Sequence, residues 1–459
     1  MARTYPLIVF GETRFAEADF ITASLIEEFS PLSITLPINQ LKFSMYSSNT
    51  DFSVINPTGA FESLATKQPM ALYLIVDGQQ RYYGQYYLDK WENESEQIKE
   101  FTCYDIIGIL DEYDDYLGGL WLTPVTVGEL VSSVLDPVDI DFEIDPDTAA
   151  VELTGWLPIS TRREALQQIA FAAGAYILSA RRDSIVIGKL TQAAIEKSGL
   201  RAGVGKTGQS RVWQTRFRGS QSFVYTGGGV VTRGYRSGVP KAGQSRIWGK
   251  RWRASQWEGV KPIVDIPTTE QGARRVTLRP QVTGIEVTAH DIVSGTGRLE
   301  ILNQSLAAGS HLIKFQQPVH DLKVTGATIT ESGANYAILN VAASGAVTLV
   351  GAVYIVTDRI FNKYLPAVAG RKENIIKVTD ATLVNSNNGE TVLQALYDYY
   401  QQRYEQNMKL FAPSQYSEPG ATVDIETLYS NRLFGVIEKM TTNLTGGVIA
   451  ETQVIGIIK

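Results

Sequence analysis

The chain has 459 residues, long enough for several domains at ~100–200 residues each. Apolar residues make up 44% and charged residues 20%, ordinary values for folded protein, so disorder is not the expected state. A single cysteine, Cys103, excludes an intramolecular disulfide framework and fits cytosolic synthesis; the net charge is −6.

Only Leu7 to Phe10 are continuously apolar near the start, and Gly11-Glu12 follow, so no signal peptide is expected. Residues 1–115 read as a β domain. Ala71 to Val76 runs into Asp77-Gly78 and resumes at Arg81 to Gly84, which is a hairpin pattern. Tyr82, Tyr83, Tyr86 and Tyr87 are expected as cross-strand aromatic pairs on a half-buried sheet rather than as a glycan platform.

Residues 116–195 form a small α/β helix–hairpin module. Thr126 with Glu129 makes a capping box that opens a short helix to Leu135. Asp139 to Asp145 then alternates carboxylates with apolar residues, the pattern of a solvated or partner-facing strand edge; it lacks the glycine and terminal glutamate of a calcium loop. Thr161 and Glu164 form a second capping box. Ala165, Leu166, Ile169, Ala170 and Ala173 line one helical face, and Gly174 stands where a left-handed residue ends the helix. Strands at 175–179 and 184–188 follow, joined by the turn Arg181-Arg182-Asp183.

Residues 196–262 form a basic tandem-repeat insertion. The stretch 203–221 recurs as 238–256 with twelve of nineteen positions identical, around Gly-Gln-Ser-Arg, Trp and Arg-aromatic-Arg. Two copies are too few for a solenoid, so the segment reads as two hairpin arms or one arm folded on itself. Between Arg201 and Trp257 lie twelve cations and no anion, which leaves −18 on the rest of the chain once they are subtracted from the net −6. Gly205-Lys206-Thr207 resembles the end of a phosphate loop, but Leu200 replaces its first glycine.

Residues 263–380 read as a second β domain, with strand-like runs at 282–289, 322–330, 346–350 and 354–357. The uncharged stretch 332–357 is interrupted by Asn335, Asn340, Ser344, Thr348 and three glycines, so buried strands and a turn fit better than a membrane span. In 381–459, Leu393, Leu396, Tyr397, Tyr400, Tyr404 and Met408 mark a helix from Glu390 to Lys409, with Arg403 and Lys409 near its C-terminal end and Pro413 after it. A C-terminal β segment completes a β-rich α+β chain.

No cofactor, metal or catalytic motif is apparent. His290, His311 and His320 form no zinc-ligand pattern, and Cys103 lies in a strand-like apolar setting that suits a buried thiol. The chain is expected not to be an enzyme.

Gly155-Trp156-Leu157-Pro158, the Arg163-Glu164-Ala165-Leu166-Gln167 helix start and the hairpin after it resemble the tail-hub family of phages, prophages and phage-tail-like bacteriocins. Leu36 to Asn39, Tyr86 to Trp91, Tyr104 to Gly108, Gly420 to Val423, Phe434 to Ile437 and Gly446-Gly447 extend the resemblance over most of 5–190 and 375–459. It implies two tube-like β domains, one from the N-terminal part and one after about residue 263. It further implies a homotrimeric symmetry adaptor that joins the hexameric tail tube to a spike or tip and lines the channel. Implied partners are the tail tube, the spike or tip, other baseplate or distal tail proteins and the tape measure protein. The implied location is the virion tail or a tail-like particle, after synthesis in the bacterial cytoplasm.

The alternative is a host-surface, carbohydrate-binding tail protein that uses the repeated arms. In either case Arg211, Trp213, Arg216, Arg218, Arg246, Trp248, Arg251 and Arg253 are the expected partner-binding residues. Arginine pairs with carboxylates and stacks on rings, which suits a protein interface; phosphates and unstacked bases also suit it. Protein is the favoured partner, because identical subunits carry the acidic complement.

Overall fold

The computed structural model describes residues 4–10, 13–32, 36–46, 67–93, 98–138, 140–189, 223–226, 229–232, 263–366, 372–411, 413, 417–427 and 431–458. Strands dominate, with few helices, as the β-rich α+β reading requires. The first seven strands are β1 (Thr4–Phe10), β2 (Thr13–Ala16), β3 (Phe20–Glu28), β4 (Gln40–Tyr46), β5 (Pro69–Val76), β6 (Gln79–Asn93) and β7 (Ile98–Tyr104). Asp77 and Gly78 both take left-handed φ values, 53° and 76°, so β5 and β6 join through the tight turn that matches strand twist. Tyr73 and Tyr82 face each other across this hairpin with ring centroids 5.5 Å apart, whereas Tyr83 and Tyr86 are buried. Across this hairpin only Tyr82 of the four has an aromatic partner; Tyr83 falls at the register shift between the strands, and Tyr86 and Tyr87 stand opposite Met70 and Pro69.

The helix–hairpin module contains β8 (Gly119–Thr126), α1 (Val127–Leu135), β9 (Phe142–Ile144), α2 (Pro146–Ala149), β10 (Glu152–Leu157), α3 (Arg162–Ala172), β11 (Ala175–Leu178) and β12 (Ile185–Lys189). Both capping boxes form: Thr126 Oγ1 accepts from Glu129 N at 3.2 Å, and Thr161 Oγ1 accepts from Glu164 N at 3.2 Å. Gly174, at φ 63°, reverses the chain after α3. The acidic run differs from its expected alternating strand. Among its described residues only Phe142–Ile144 form a strand, parallel to β12, and Asp145 instead caps α2 by accepting from Thr148 N at 3.2 Å. An Asp before Pro146 at a helix start favours a cap over a longer strand.

Leu166 and Ile169 are fully buried in a core shared by α1, α3 and later elements. Replacing Leu166 by Ala is expected to cost ~2–5 kcal/mol through lost burial and a residual cavity, read as a lower urea midpoint at unchanged slope. An unchanged midpoint would show that the site collapses around the smaller side chain.

Within 196–262, β13 (Phe223–Thr226) and β14 (Gly229–Thr232) pair antiparallel. Next come β15 (Val264–Ile266), β16 (Gln271–Leu278), β17 (Gly284–Leu306), β18 (Gly309–Lys314), β19 (Val319–Thr325), β20 (Thr328–Ser332), β21 (Tyr336–Val341), β22 (Gly345–Tyr364) and β23 (Ile375–Val378). The two runs expected at 346–350 and 354–357 are one twenty-residue strand, β22. Its small residues Gly351 and Ala352 stay in the ladder opposite Leu299 and Arg298, with β19 hydrogen-bonded on the other side, so the strand continues instead of turning. The long β17–β22 ribbon carries a small sheet of β18, β20 and β21 at its far end, with its own core around Leu339, Val347 and Leu349.

The chain ends with α4 (Gly389–Tyr400), β24 (Tyr404–Phe411), β25 (Thr422–Glu426), β26 (Arg432–Asn443) and β27 (Ile449–Ile458). The helix expected through Lys409 stops at Tyr400. A four-residue step fits both a helical turn and two strand repeats, so Tyr400, Tyr404 and Met408 satisfy either period. From 406 the strand period takes over: Gln406, Met408 and Leu410 are buried, and β24 is hydrogen-bonded on both sides by β16 and β27. Arg403 therefore caps no helix, and its guanidinium donates to Arg279 O at 3.1 Å. Pro413 follows a strand.

Thirteen strands form one sheet whose main path runs β16-β24-β27-β26-β3-β4-β7-β6-β5-β1-β2, with β25 and β15 attached through β26. The strands at 264–278 hydrogen-bond to this C-terminal group, not to the β17–β22 ribbon. N-terminal and C-terminal halves meet where β26 pairs antiparallel with β3.

Candidate functional site

Beside the β3–β26 seam, the turn between β11 and β12 enters the sheet. Along β3 the inward positions are Ala23, Leu25 and then Glu27, a carboxylate where the alternation calls for an apolar residue. Arg181 answers it. Its Nε donates to Glu27 Oε1 at 2.9 Å and its Nη2 to Oε2 at 2.7 Å, and both side chains are excluded from water. The guanidinium also lies 4.1 Å from the Tyr83 ring centroid and 3.0 Å from Met440 Sδ on β26. Arg181 has φ 57°, and a Cβ on Gly84 would come within 2.8 Å of its Cα, so only glycine admits this turn against β6. Arg182 Nη2 donates to Glu418 Oε1 at 2.9 Å, which ties the turn to the C-terminal half as well.

A second buried group lies alongside. Asp105 accepts from Ser179 Oγ at 2.5 Å, Asn39 Nδ2 at 2.7 Å and Gly108 N at 3.2 Å, while Asn39 Oδ1 accepts from Glu28 N at 2.9 Å. Burial pushes the Asp105 carboxyl up to about 6, against the pull of these donors. Its folded value exceeds its unfolded one, so its stabilising contribution is complete below about pH 4 and is lost as pH rises through about 6. Stability is expected to fall by on the order of 2–3 kcal/mol across that window, with the slope absent in Asp105→Asn. Unfolding free energies at several pH values in both proteins read this; parallel curves would contradict it.

This junction joins distant parts of one chain: β3 with the β4 approach, the segment after β7, the module turn, β26 and the segment before β25. Sequence reading missed Glu27, Asn39, Asp105 and Ser179, although Glu27 at an inward strand position was a visible signal. The eight expected partner-binding residues Arg211, Trp213, Arg216, Arg218, Arg246, Trp248, Arg251 and Arg253 lie outside the described residues, as does Gly205-Lys206-Thr207.

The three histidines are far apart in role. His290 bridges Asp358 and Thr379 O at 2.8 and 2.9 Å, His311 reaches Ala307 O, and His320 reaches Gly295 O. Among the described residues no group of three His, Cys, Asp or Glu side chains could hold a metal ion. Cys103 is buried, and burial pushes its thiol well above the usual range. No helix among the described residues is long and apolar enough to cross a membrane.

The surface offers contact area instead. Among the described residues the main path of the sheet ends at β16 and β2 with no further strand paired there, and β16 exposes Val276 and Leu278. On the β17–β22 ribbon, Val293 and Ile355 sit directly opposite each other, 56% and 53% exposed, and Val356 and Ile360 are also exposed. Paired apolar side chains this open are unusual on a lone subunit.

No family model and no curated protein matches the sequence. Among solved structures, the tail protein from Neisseria meningitidis MC58 superposes with TM-score 0.50 at 9% identity, covering 99% of this chain and 96% of that one. The 43 kDa tail protein of prophage MuSo2 from Shewanella oneidensis gives 0.47 at 9% identity over 98% of each chain. Prophage tail protein gp18 from Listeria monocytogenes EGD-e gives 0.43 at 7% identity over 98% and 94%. Identities this low show the fold alone: this chain has a tail-protein fold, matched end to end in the Neisseria protein.

Proposed function

We propose that this chain is a structural hub of a phage tail or phage-tail-like particle. It acts as a homotrimeric symmetry adaptor that joins a hexameric tail tube to a trimeric spike or tip and forms part of the channel wall. The observation that carries this reading is the single sheet built from two halves of one chain, side by side across the β3–β26 seam. Three such chains present six β units in a ring, which lets a three-fold part meet a six-fold one. The end strands of the sheet and the exposed ribbon supply contacts to neighbouring copies and to tube, spike, other baseplate or distal tail proteins and tape measure protein. The chain is synthesised in the bacterial cytoplasm and works in the particle without catalysis of its own.

Mass analysis of particles or of the purified assembly is expected to give three copies of the 50.6 kDa chain, each touching two others. A single copy per particle would refute the adaptor.

A further inference from the structure

A cleft of about 210 Å³ opens beside the seam, between the end of α4, the strand β26 and the loop after β3. Tyr399 and Tyr400 form one wall, with ring centroids 5.1 Å apart at 77°, and Glu28, Glu438, Lys439 and Gln453 bring polar groups to it. Its polar groups stand on strands: Glu28 on β3, Glu438 and Lys439 on β26 and Gln453 on β27. The β26 ladder is irregular between Ile437 and Lys439, a bulge that re-aims Glu438, and Phe29 N donates to Glu438 O at 2.7 Å across the seam. Leu32 on the rim has φ 59°, a left-handed conformation that a side chain rarely adopts.

Its charges are already matched. Glu438 accepts from Arg279 Nη2 at 3.0 Å and from the Tyr399 hydroxyl, and Lys439 Nζ lies 3.4 Å from Glu28 Oε2. A cationic ligand would compete with Arg279 and Lys439, and an anionic one would face two carboxylates. A neutral polyhydroxylated ring meets neither penalty. Its hydroxyls find acceptors in the remaining lone pairs of Glu28 and Glu438 and donors in Lys439 and Gln453, while its C–H face packs on tyrosine. The volume lies below the ~300 Å³ at which drug-sized sites begin, which limits the occupant to about one ring. Burial also raises the Glu438 carboxyl above its usual range, as in clefts organised around a ligand.

We propose that this cleft binds a neutral sugar unit, such as one residue of a cell-surface or cell-wall glycan. None of its lining residues belongs to the basic repeats in sequence, and the proposal does not depend on the trimeric assembly.

The test is titration of the full chain with glucose, galactose, mannose and N-acetylglucosamine, followed by calorimetry and by chemical-shift changes at the tyrosines. At least one sugar is expected to bind saturably, with Kd on the order of 1 mM. Tyr400→Ala is expected to weaken it by about tenfold or more. Lys439→Ala, at an exposed side chain, is expected to weaken it while leaving the unfolding midpoint near that of the parent, so the test survives if the tyrosine variant does not fold. Tyr82→Ala, at an exposed residue that does not line the cleft, is expected to change nothing. No saturable binding by any of the four sugars, or equal affinity in Lys439→Ala and the parent, overturns the proposal. So does tighter binding of arginine methyl ester or N-acetylneuraminic acid than of every neutral sugar.

Discussion

Arg181→Ala is expected to be among the most destabilising single changes in this chain, costing ~3–5 kcal/mol. The substitution leaves the Glu27 carboxylate buried without the guanidinium that faces it with two hydrogen bonds, and it removes the cation from the Tyr83 ring. Three comparisons isolate the cause. Arg181→Gly loses the same contacts but accepts φ 57°, so it is expected to recover about 1 kcal/mol relative to Ala. Glu27→Leu combined with Arg181→Met removes both charges, and its cost is expected to be smaller than that of Arg181→Ala, because no uncompensated ion remains in the core. Lys439→Ala, which loosens an exposed pair with Glu28 at the same seam, is expected within ~1 kcal/mol of the parent. Chemical denaturation of the four variants measures all of this. If Arg181→Ala unfolds at the parent's midpoint, the turn does not pin the two halves of the sheet, and the seam holds through the β3–β26 ladder alone.

The module was legible because its signals are local. Thr161, Glu164 and Gly174 act within a few residues of one another, and the apolar face of α3 repeats at one period, so a short window contains the whole instruction. The tight turn at Asp77-Gly78 was legible for the same reason. Two other features were not. Beyond Tyr400 the sequence still supports a helix, and only the two neighbouring ladders, one contributed by residues 271–278 and one by 449–458, make Tyr404–Phe411 a strand. Arg181 read as a turn residue, and so it is. Its role as the counter-ion of Glu27, more than 150 positions earlier, depends on the folded topology. Asn39, Asp105 and Ser179 are similarly separated, and nothing in the spacing of three common polar residues announces a shared site.

Arg211→Glu combined with Arg246→Glu is expected to block incorporation into particles while leaving the isolated subunit folded. These arginines hold equivalent places in the two repeats, each two residues before a tryptophan, Trp213 and Trp248. A solvated decoration has no need for a repeated tryptophan, whereas an interface uses arginine and tryptophan as its anchors. The remainder of the chain carries the −18 that would complement them, so a neighbouring copy has the right charge. Reversing two cations per chain places like charges together at every repeated contact in a ring, which multiplies the cost with copy number. Particle yield, together with the mass of the variant subunit, reads the outcome. Normal assembly with lost adsorption to cells would assign the arms to a receptor. Normal assembly with normal adsorption would remove them from both roles.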